Sequence, residues 1–415
     1  MIKNKSRLSR FFLCGLLSTS MLFTQTAPLL ASEETAQEAP ADPTPTPDPH
    51  TEAYYTPADT NSIEGWPQGP NIEGEAAVLM DVYTGTILYS KNADTQLYPA
   101  SITKIMTLLL GAENLNPEDP LIVSQSAAYG IEPLSSSIYA DTNEEFTVEQ
   151  AMMAVALESA NEMSLAIAEE VSGSSKKFVE LMNERANNLG CTGTHFNNPN
   201  GLPDETHYTT AGDMAKIAQA AWNNTECRKY ISTDYYEIPP TNIQPETRYM
   251  LNHHKMMEGR DYAYDGVLGG KTGYTTVAGN TLITYAQRDN TTLVAVVMKS
   301  INGAYSDTAA LLDYGFNNFE QLRIAVANEN PVPVQTLPSE KYLLNNNGDT
   351  FPFYSYRNTY VLVPTGTKKR DLTTKKEHLL NEPGSLRLQT SYYFNDQFVG
   401  WGIQMERDIL SDLIM

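Results

Sequence analysis

Between residues 72 and 322 the spacing of apolar positions changes twice. Two short apolar runs, Ala76–Met80 and Thr86–Tyr89, flank the turn-prone Asp81-Val-Tyr-Thr-Gly85, a pattern that predicts a β-hairpin. From Ser101 to about Glu113 the residues Ile102, Ile105, Met106 and Leu108–Leu110 fall on nearly every side of a helix, as in a helix enclosed by its own domain. Thr147 and Gln150 form a capping box ahead of Ala151–Leu157. Helical patterns continue over Met163–Val171, ending near Gly173, and over Lys176–Leu189, with Gly190 as the stop signal. Thr210 caps one more, which runs through Trp222. The period then switches to two. Gly269–Thr275, Asn280–Arg288 and Leu293–Lys299 predict strands, the last two joined at Asp289-Asn290, and a helix over Ala304–Phe319 closes the unit. Two strands, an all-helical insertion, three strands and a helix read as one α+β domain, a largely antiparallel sheet flanked by helices.

The flanks differ in texture. Lys3, Lys5, Arg7 and Arg10 precede an apolar stretch, Phe11–Phe23, and small residues near Leu29-Leu-Ala31 offer a cleavage site, so residues 1–31 read as a signal peptide. The stretch is short for a spanning helix, which needs ~20 apolar residues, and Cys14 follows Phe-Phe-Leu rather than the small residues of a lipoprotein signal. Residues 32–71 are rich in Pro, Thr and acidic side chains, with Pro43-Thr-Pro-Thr-Pro47 at the centre, and read as a disordered linker. Beyond 322, Pro331–Val334, Tyr360–Val363 and Leu386–Tyr392 are strand-like and punctuated by Pro, Asn and Gly. Residues 323–415 therefore read as a small β-rich domain.

Charge narrows the partners. The chain of 415 residues carries a net charge of −22, and residues 1–31 hold four basic and no acidic side chains, so removing them leaves −26. Such a surface argues against nucleic acid and against charge-driven binding to anionic lipid. The closing Glu406–Met415 is short and poor in basic residues for an interfacial helix, which leaves membrane attachment open. The expected location is outside the cytoplasm: extracellular, wall-associated, or on the outer face of the membrane. Cys191 and Cys227 can be bonded or free there. The six histidines show no metal-ligand spacing, so neither metal nor other cofactor is expected. Adjacent His253 and His254 cannot share a helix face and read as loop residues.

The chemistry lies in three short strings. Ser101-Ile-Thr-Lys104, Ser159-Ala-Asn161 and Lys271-Thr-Gly273 follow one another along the chain and match the S-x-x-K, S-x-N and K-T-G elements of active-serine penicillin-interacting enzymes. Each is weak alone: Ser174-Ser-Lys-Lys177 and Ser300-Ile-Asn302 are decoys. Order and context separate the real set. Ser101 follows Pro99-Ala100 at a helix start, where free amides and the helix dipole favour developing negative charge. Lys104 lies one turn on, within reach of the hydroxyl. A serine needs an adjacent base, and a buried lysine beside a second cation, for which Lys271 is the candidate, can lose its proton. Ser159 and Asn161 fall at a break between helical patterns, where polar side chains can point into a cleft. Gly273 on a strand lets a ligand backbone approach, and that strand's edge can pair with an extended peptide while Lys271 meets a carboxylate.

Longer stretches carry a resemblance. Tyr98–Thr107, Glu158–Asn161, Asn198-Pro-Asn-Gly-Leu-Pro203, His207-Tyr-Thr-Thr210 and Gly270–Thr275 resemble the signature segments of the D-alanyl-D-alanine carboxypeptidases, low-molecular-mass penicillin-binding proteins of the serine peptidase class. The likeness covers about residues 72–322. It implies a β-lactamase/transpeptidase-like domain in which Ser101 is acylated, Lys104 is the general base and Ser159 and Asn161 form the second motif. It also implies that Lys271 and Thr272 bind the terminal D-Ala carboxylate, and that the Ser101 and Tyr274 amides make the oxyanion hole. Gly273 belongs to the same binding strand. The implied substrate is a peptidoglycan stem peptide, with β-lactam antibiotics as covalent inhibitors.

Rival readings make different demands. A class A-like β-lactamase needs a water-activating glutamate, and the corresponding loop, Thr194–Pro203, has no carboxylate before Asp204 and Glu205. A DD-endopeptidase cuts a chemically similar bond. A non-enzymatic wall-binding protein predicts no penicillin adduct, and an esterase of the α/β-hydrolase type lacks its G-x-S-x-G.

Overall fold

The structure, a computed structural model, describes residues 50–301, 303–325, 353–355, 358–379 and 387–406. The expected signal peptide, the first part of the linker, the Pro331–Val334 run and the closing segment after Glu406 lie outside these residues.

A hairpin of β1 (Ala76–Asp81) and β2 (Ile87–Lys91) opens the main sheet. Every residue of β1 is buried: Ala76, Val78 and Met80 enter one core, Ala77 and Leu79 the other. A continuous apolar strand thus serves two layers. A 3₁₀ turn, Ala100–Thr103, leads into α1 (Lys104–Asn114), buried from Lys104 to Gly111 as its all-round apolar pattern requires. The short pair β3 (Pro120–Ile122) and β4 (Glu145–Thr147) encloses α2 (Gln125–Tyr129). Thr147 then caps α3 (Val148–Leu157) through a capping box with Gln150. α4 (Asn161–Ser172) ends at Gly173, whose φ is +74°. α5 (Ser175–Asn188) starts at the decoy Ser174, whose hydroxyl accepts from the Lys177 amide and is a helix cap. Thr210 caps α6 (Ala211–Asn223), and α7 (Thr225–Ser232) completes the insertion before the small pair β5 (Tyr235–Ile238) and β6 (Arg248–Leu251). The elements from β3 to α2, α7 and β5–β6 carry no clear period in the sequence, because most are too short to show one.

The chain returns to the sheet with β7 (Val267–Thr275), β8 (Gly279–Arg288) and β9 (Thr291–Ser300), and α8 (Ala304–Asn318) covers its far face. Sheet order is β2-β1-β9-β8-β7, antiparallel throughout, which leaves β7 at an edge. α6 packs across the near face, where Tyr285 donates to the Ala218 carbonyl at 2.8 Å and stacks on Trp222.

Two expected boundaries shift. Strand β10 (Phe319–Ala325) runs straight on from α8 through the expected division at 322/323 and pairs with β12 (Thr359–Pro364), which follows β11 (Phe353–Ser355). β11, β13 (Thr373–Leu379), β14 (Arg387–Phe394) and β15 (Gln397–Glu406) form a second sheet, order β11-β15-β14-β13. Residues of these strands share a core with α8 and the main sheet, including Val361, Val363 and Val399. Residues 50–71, expected within a disordered linker, are packed on the domain. Short 3₁₀ turns cover Glu52–Tyr55 and Asp59–Ser62, and Trp66, 3% exposed, donates to the Leu88 carbonyl at 2.8 Å. The polar composition averaged over the segment hid these apolar anchors. Cys191 and Cys227 are buried free thiols, and burial pushes the Cys191 thiol up to about 12.

Candidate active site

Ser101 sits on the 3₁₀ turn that heads α1, and the turn is clamped from several directions. Ala100, just before it, has φ +51°, a left-handed conformation that costs an alanine of order 1 kcal/mol and persists only where neighbours enforce it. Thr281 on β8 donates to the Pro99 carbonyl at 2.8 Å. Gly201 crosses so closely that a Cβ there would lie 1.9 Å from the Ala100 oxygen. On the other side Gly273 of β7 leaves no room for a side chain: a Cβ would lie 2.9 Å from the Ser101 amide nitrogen. The edge strand therefore runs flush against the helix tip.

Lys104 Nζ lies 3.1 Å from Ser101 Oγ and donates to the Asn200 carbonyl at 2.6 Å. It is fully buried. Burial holds its pKa well below the usual lysine value and the Lys271 cation adds to the effect, while the Glu162 carboxylate opposes both. Lys271 is itself 3% exposed and donates to the Thr272 carbonyl at 3.0 Å. Burial brings it down to about 7, against the pull of the Glu158 carboxylate. An uncharged amine in contact with a hydroxyl can accept its proton, and a second lysine close to titration can still meet an anion.

Ser159 has φ +58° at the break between α3 and α4. Its hydroxyl is buried without a hydrogen-bond partner among the described residues. Asn161 heads α4, 3% exposed, with its amide donating to the Ser136 carbonyl at 2.9 Å. Ser101, Ser159, Thr272, Gly273 and Tyr274 all line one cavity of about 530 Å³. Folding has thus assembled the three strings around one cleft, with Lys104, Asn161 and Lys271 buried in its wall.

Five residues that bear on the site had no role assigned from the sequence: Asn200, His207, Glu162, Glu158 and His253. Asn200 supplies the backbone acceptor for Lys104, within the quoted Asn198–Pro203 stretch. That stretch also receives the Thr107 hydroxyl at the Pro199 carbonyl, 2.6 Å. His207 accepts from the Asn197 amide through Nδ1, so its Nε2 donates to Thr103 at 2.9 Å; burial holds this imidazole down to about 4. Glu162, adjacent to Asn161, is 1% exposed, and its Oε1 accepts from the Ser137 hydroxyl and the Ile138 amide, each at 2.7 Å. It ties the loop bearing Ser136 to the head of α4. Glu158 pairs with His253 at 3.0 Å, and His253 lines the cavity, whereas His254 is buried and bonds to Thr284 at 2.9 Å. Only adjacency to a motif marked Glu158 and Glu162 in the sequence, and nothing marked His253.

Comparison with known proteins points the same way. A family model described as D-alanyl-D-alanine carboxypeptidase matches residues 64–302. The D-alanyl-D-alanine carboxypeptidase DacF of Bacillus subtilis is 35% identical over 255 residues, 60% of this chain and 63% of the relative. DacA of Haemophilus influenzae is 32% identical over 265 residues, 61% of this chain and 64% of that one. The match thus spans just under two thirds of the length of these curated relatives. Among solved structures, penicillin binding protein 5 from Haemophilus influenzae superposes with a TM-score of 0.67 at 25% identity, covering 82% of this chain and 98% of that one. The α+β arrangement described above is the transpeptidase-like fold, with small β-rich sheets added at its C-terminal end.

Proposed function

Because the chain belongs to the D-alanyl-D-alanine carboxypeptidase family of serine peptidases, we propose that it removes the terminal D-Ala from peptidoglycan stem pentapeptides through an ester on Ser101. The observation that carries this reading is the contact between the Ser101 hydroxyl and a fully buried lysine amine, 3.1 Å apart. Lys104, whose cation is disfavoured by burial and by Lys271, takes the serine proton as Oγ attacks the penultimate D-Ala carbonyl. The oxyanion that forms lies against the amides of Ser101 and Tyr274, the interaction that contributes most to such a transition state. Ser159, whose hydroxyl has no partner among the described residues, relays the proton to the leaving amine, and Asn161 orients the peptide. D-Ala departs with its carboxylate on Lys271 and Thr272. Water then attacks the ester, giving a proton to Lys104, which passes it to the departing Ser101 Oγ.

The extended substrate lies along the free edge of β7, where Gly273 admits its backbone. A β-lactam, presenting a similar carboxylate and a strained amide, acylates the same serine. The leader of residues 1–31 directs export, and the enzyme acts outside the cytoplasm; among the described residues no helix is long and apolar enough to cross a membrane.

The test is mass spectrometry of the intact protein and its peptides after exposure to penicillin, beside D-Ala release from a pentapeptide. One adduct is expected, on the peptide containing Ser101, absent from Ser101→Ala, with D-Ala release lost in the same variant. A protein that forms no adduct and releases no D-Ala is a binding protein instead. Rapid loss of the adduct favours a β-lactamase, and cleavage confined to cross-linked muropeptides favours an endopeptidase.

A further inference from the structure

A second cavity, of about 430 Å³, opens where the β1–β2 and β8–β9 turns meet the C-terminal strands. It shares no lining residue with the catalytic cavity. Three aromatic side chains stand around it, Tyr83, Tyr360 and Trp401, and they are 53%, 39% and 40% exposed. Of the other two tryptophans, Trp66 is 3% and Trp222 4% exposed, so Trp401 is the one tryptophan that shows a face to solvent. Among the described residues no lysine, arginine or histidine lines the cavity.

Among the described lining residues Asp81 supplies the charged group, and its carboxylate is incompletely used. Oδ2 accepts from the Thr84 amide at 2.9 Å and from the Thr84 hydroxyl. Oδ1 is buried with no hydrogen-bond partner among the described residues. A buried acceptor without a donor costs about 1–3 kcal/mol, and each such group in a folded protein calls for an explanation, a partner that binds there being one. The amide of Gln321, held to the Asn290 carbonyl at 3.0 Å, adds polar groups at the same rim.

The chemistry selects among ligands. With a carboxylate and no cation among the described residues of its wall, the cavity disfavours phosphates, carboxylates and acidic peptides. Aromatic faces paired with carboxylate and amide acceptors suit a neutral molecule that is apolar on its faces and rich in hydroxyl donors at its edge. A pyranose ring has that form. We propose that this cavity is a saccharide subsite that binds a segment of polysaccharide, with sugar rings against Trp401 and Tyr83 and hydroxyls donating to Asp81. It needs nothing from the catalytic reading. Where that reading also holds, the subsite grips the glycan strand whose stem peptides the cleft trims.

Titration of the full chain with hexamers of N-acetylglucosamine and, separately, of glucose tests this. Trp401 is the exposed fluorophore, so a saturable change in tryptophan emission is expected with at least one sugar. Calorimetry on Tyr83→Ala and Trp401→Ala should show binding about tenfold weaker or more. D-Ala release from a soluble pentapeptide should stay within twofold of the parent in both variants, which separates failure here from failure of the catalytic assignment. A response to the acetylated hexamer alone identifies an amino-sugar strand; a response to both identifies a general pyranose site. Absence of saturation with either sugar up to roughly 10 mM, or unchanged affinity in Tyr83→Ala and Trp401→Ala, overturns the proposal.

Discussion

Lys91, at the end of β2, and Lys104, at the head of α1, are both fully shielded from water, yet the two regions make opposite demands on an ammonium group. Around Lys91 the N-terminal segment wraps the sheet edge, and Nζ donates to three carbonyls, those of Ala53, Ile72 and Gly74, at 2.6, 2.9 and 2.8 Å. Burial lowers its pKa, while the carboxylates of Asp307, Glu73 and Glu75 favour the cation. Three protons find three acceptors, and the group is a charged tie between chain segments. Lys104 has one carbonyl and one hydroxyl within reach, and the neighbouring Lys271 cation works against its charge. Burial alone therefore does not decide the charge of a lysine. The number of acceptors and the sign of the nearest charge decide.

Substitutions can break that comparison. The largest effect belongs to Lys104→Ala, which should slow acylation of Ser101 by penicillin by about 10³-fold, within the range for a lost general base, while leaving the melting curve close to that of the parent. Lys91→Met should do the reverse. Three buried carbonyls lose a charged donor, a loss of roughly 3 kcal/mol, read as a lower denaturant midpoint with an unchanged acylation rate below the transition. Equal acylation losses in the two variants would dissolve the distinction.

Smaller effects sharpen it. Lys271 carries a pKa of about 7, below the ordinary lysine value, so its cation is lost as pH rises through that region. Cleavage of a carboxylate-bearing peptide should then decline on the alkaline side in kcat/KM, and Lys271→Arg, charged at every accessible pH, should abolish that decline. A profile unaltered by Lys271→Arg would assign the alkaline limb to another group. Glu162→Gln should give the smallest change. The Glu162 carboxylate favours the charged form of Lys104, so its removal lowers the Lys104 pKa further and moves the acid limb of the acylation profile to lower pH. Movement to higher pH would mean that Glu162 acts chiefly by holding the Ser136 loop.

The two regions also differ in how far they could be read in advance. The Lys104 region was legible because its spacing is local: Ser101 and Lys104 are one turn apart, whereas the decoy Ser174–Lys177 caps a helix whose lysines face solvent. Periodicity likewise located β1, β2, β7–β9 and the long helices, since each buries a full face. The Lys91 region was opaque. Its acceptors are backbone carbonyls, which every residue carries, and the segment that brings them looked like linker because Tyr54, Tyr55 and Trp66 are diluted among polar residues. Short elements such as β5, β6 and α7 were missed for a related reason, as their few residues are set by contacts rather than by a repeating pattern.

Residue types at short range along the chain determined the sheet, the helical insertion and the three strings of the candidate site, because helix and strand periods and one-turn spacings are local properties. Only the tertiary structure decided that Gly273 meets the Ser101 amide, that Asn200 and Glu162 surround Lys104, and that Asp81 faces a cavity with Trp401. Those contacts join positions far apart in the chain, and burial, charge pairing and hydrogen-bond satisfaction exist only once folding has brought them together.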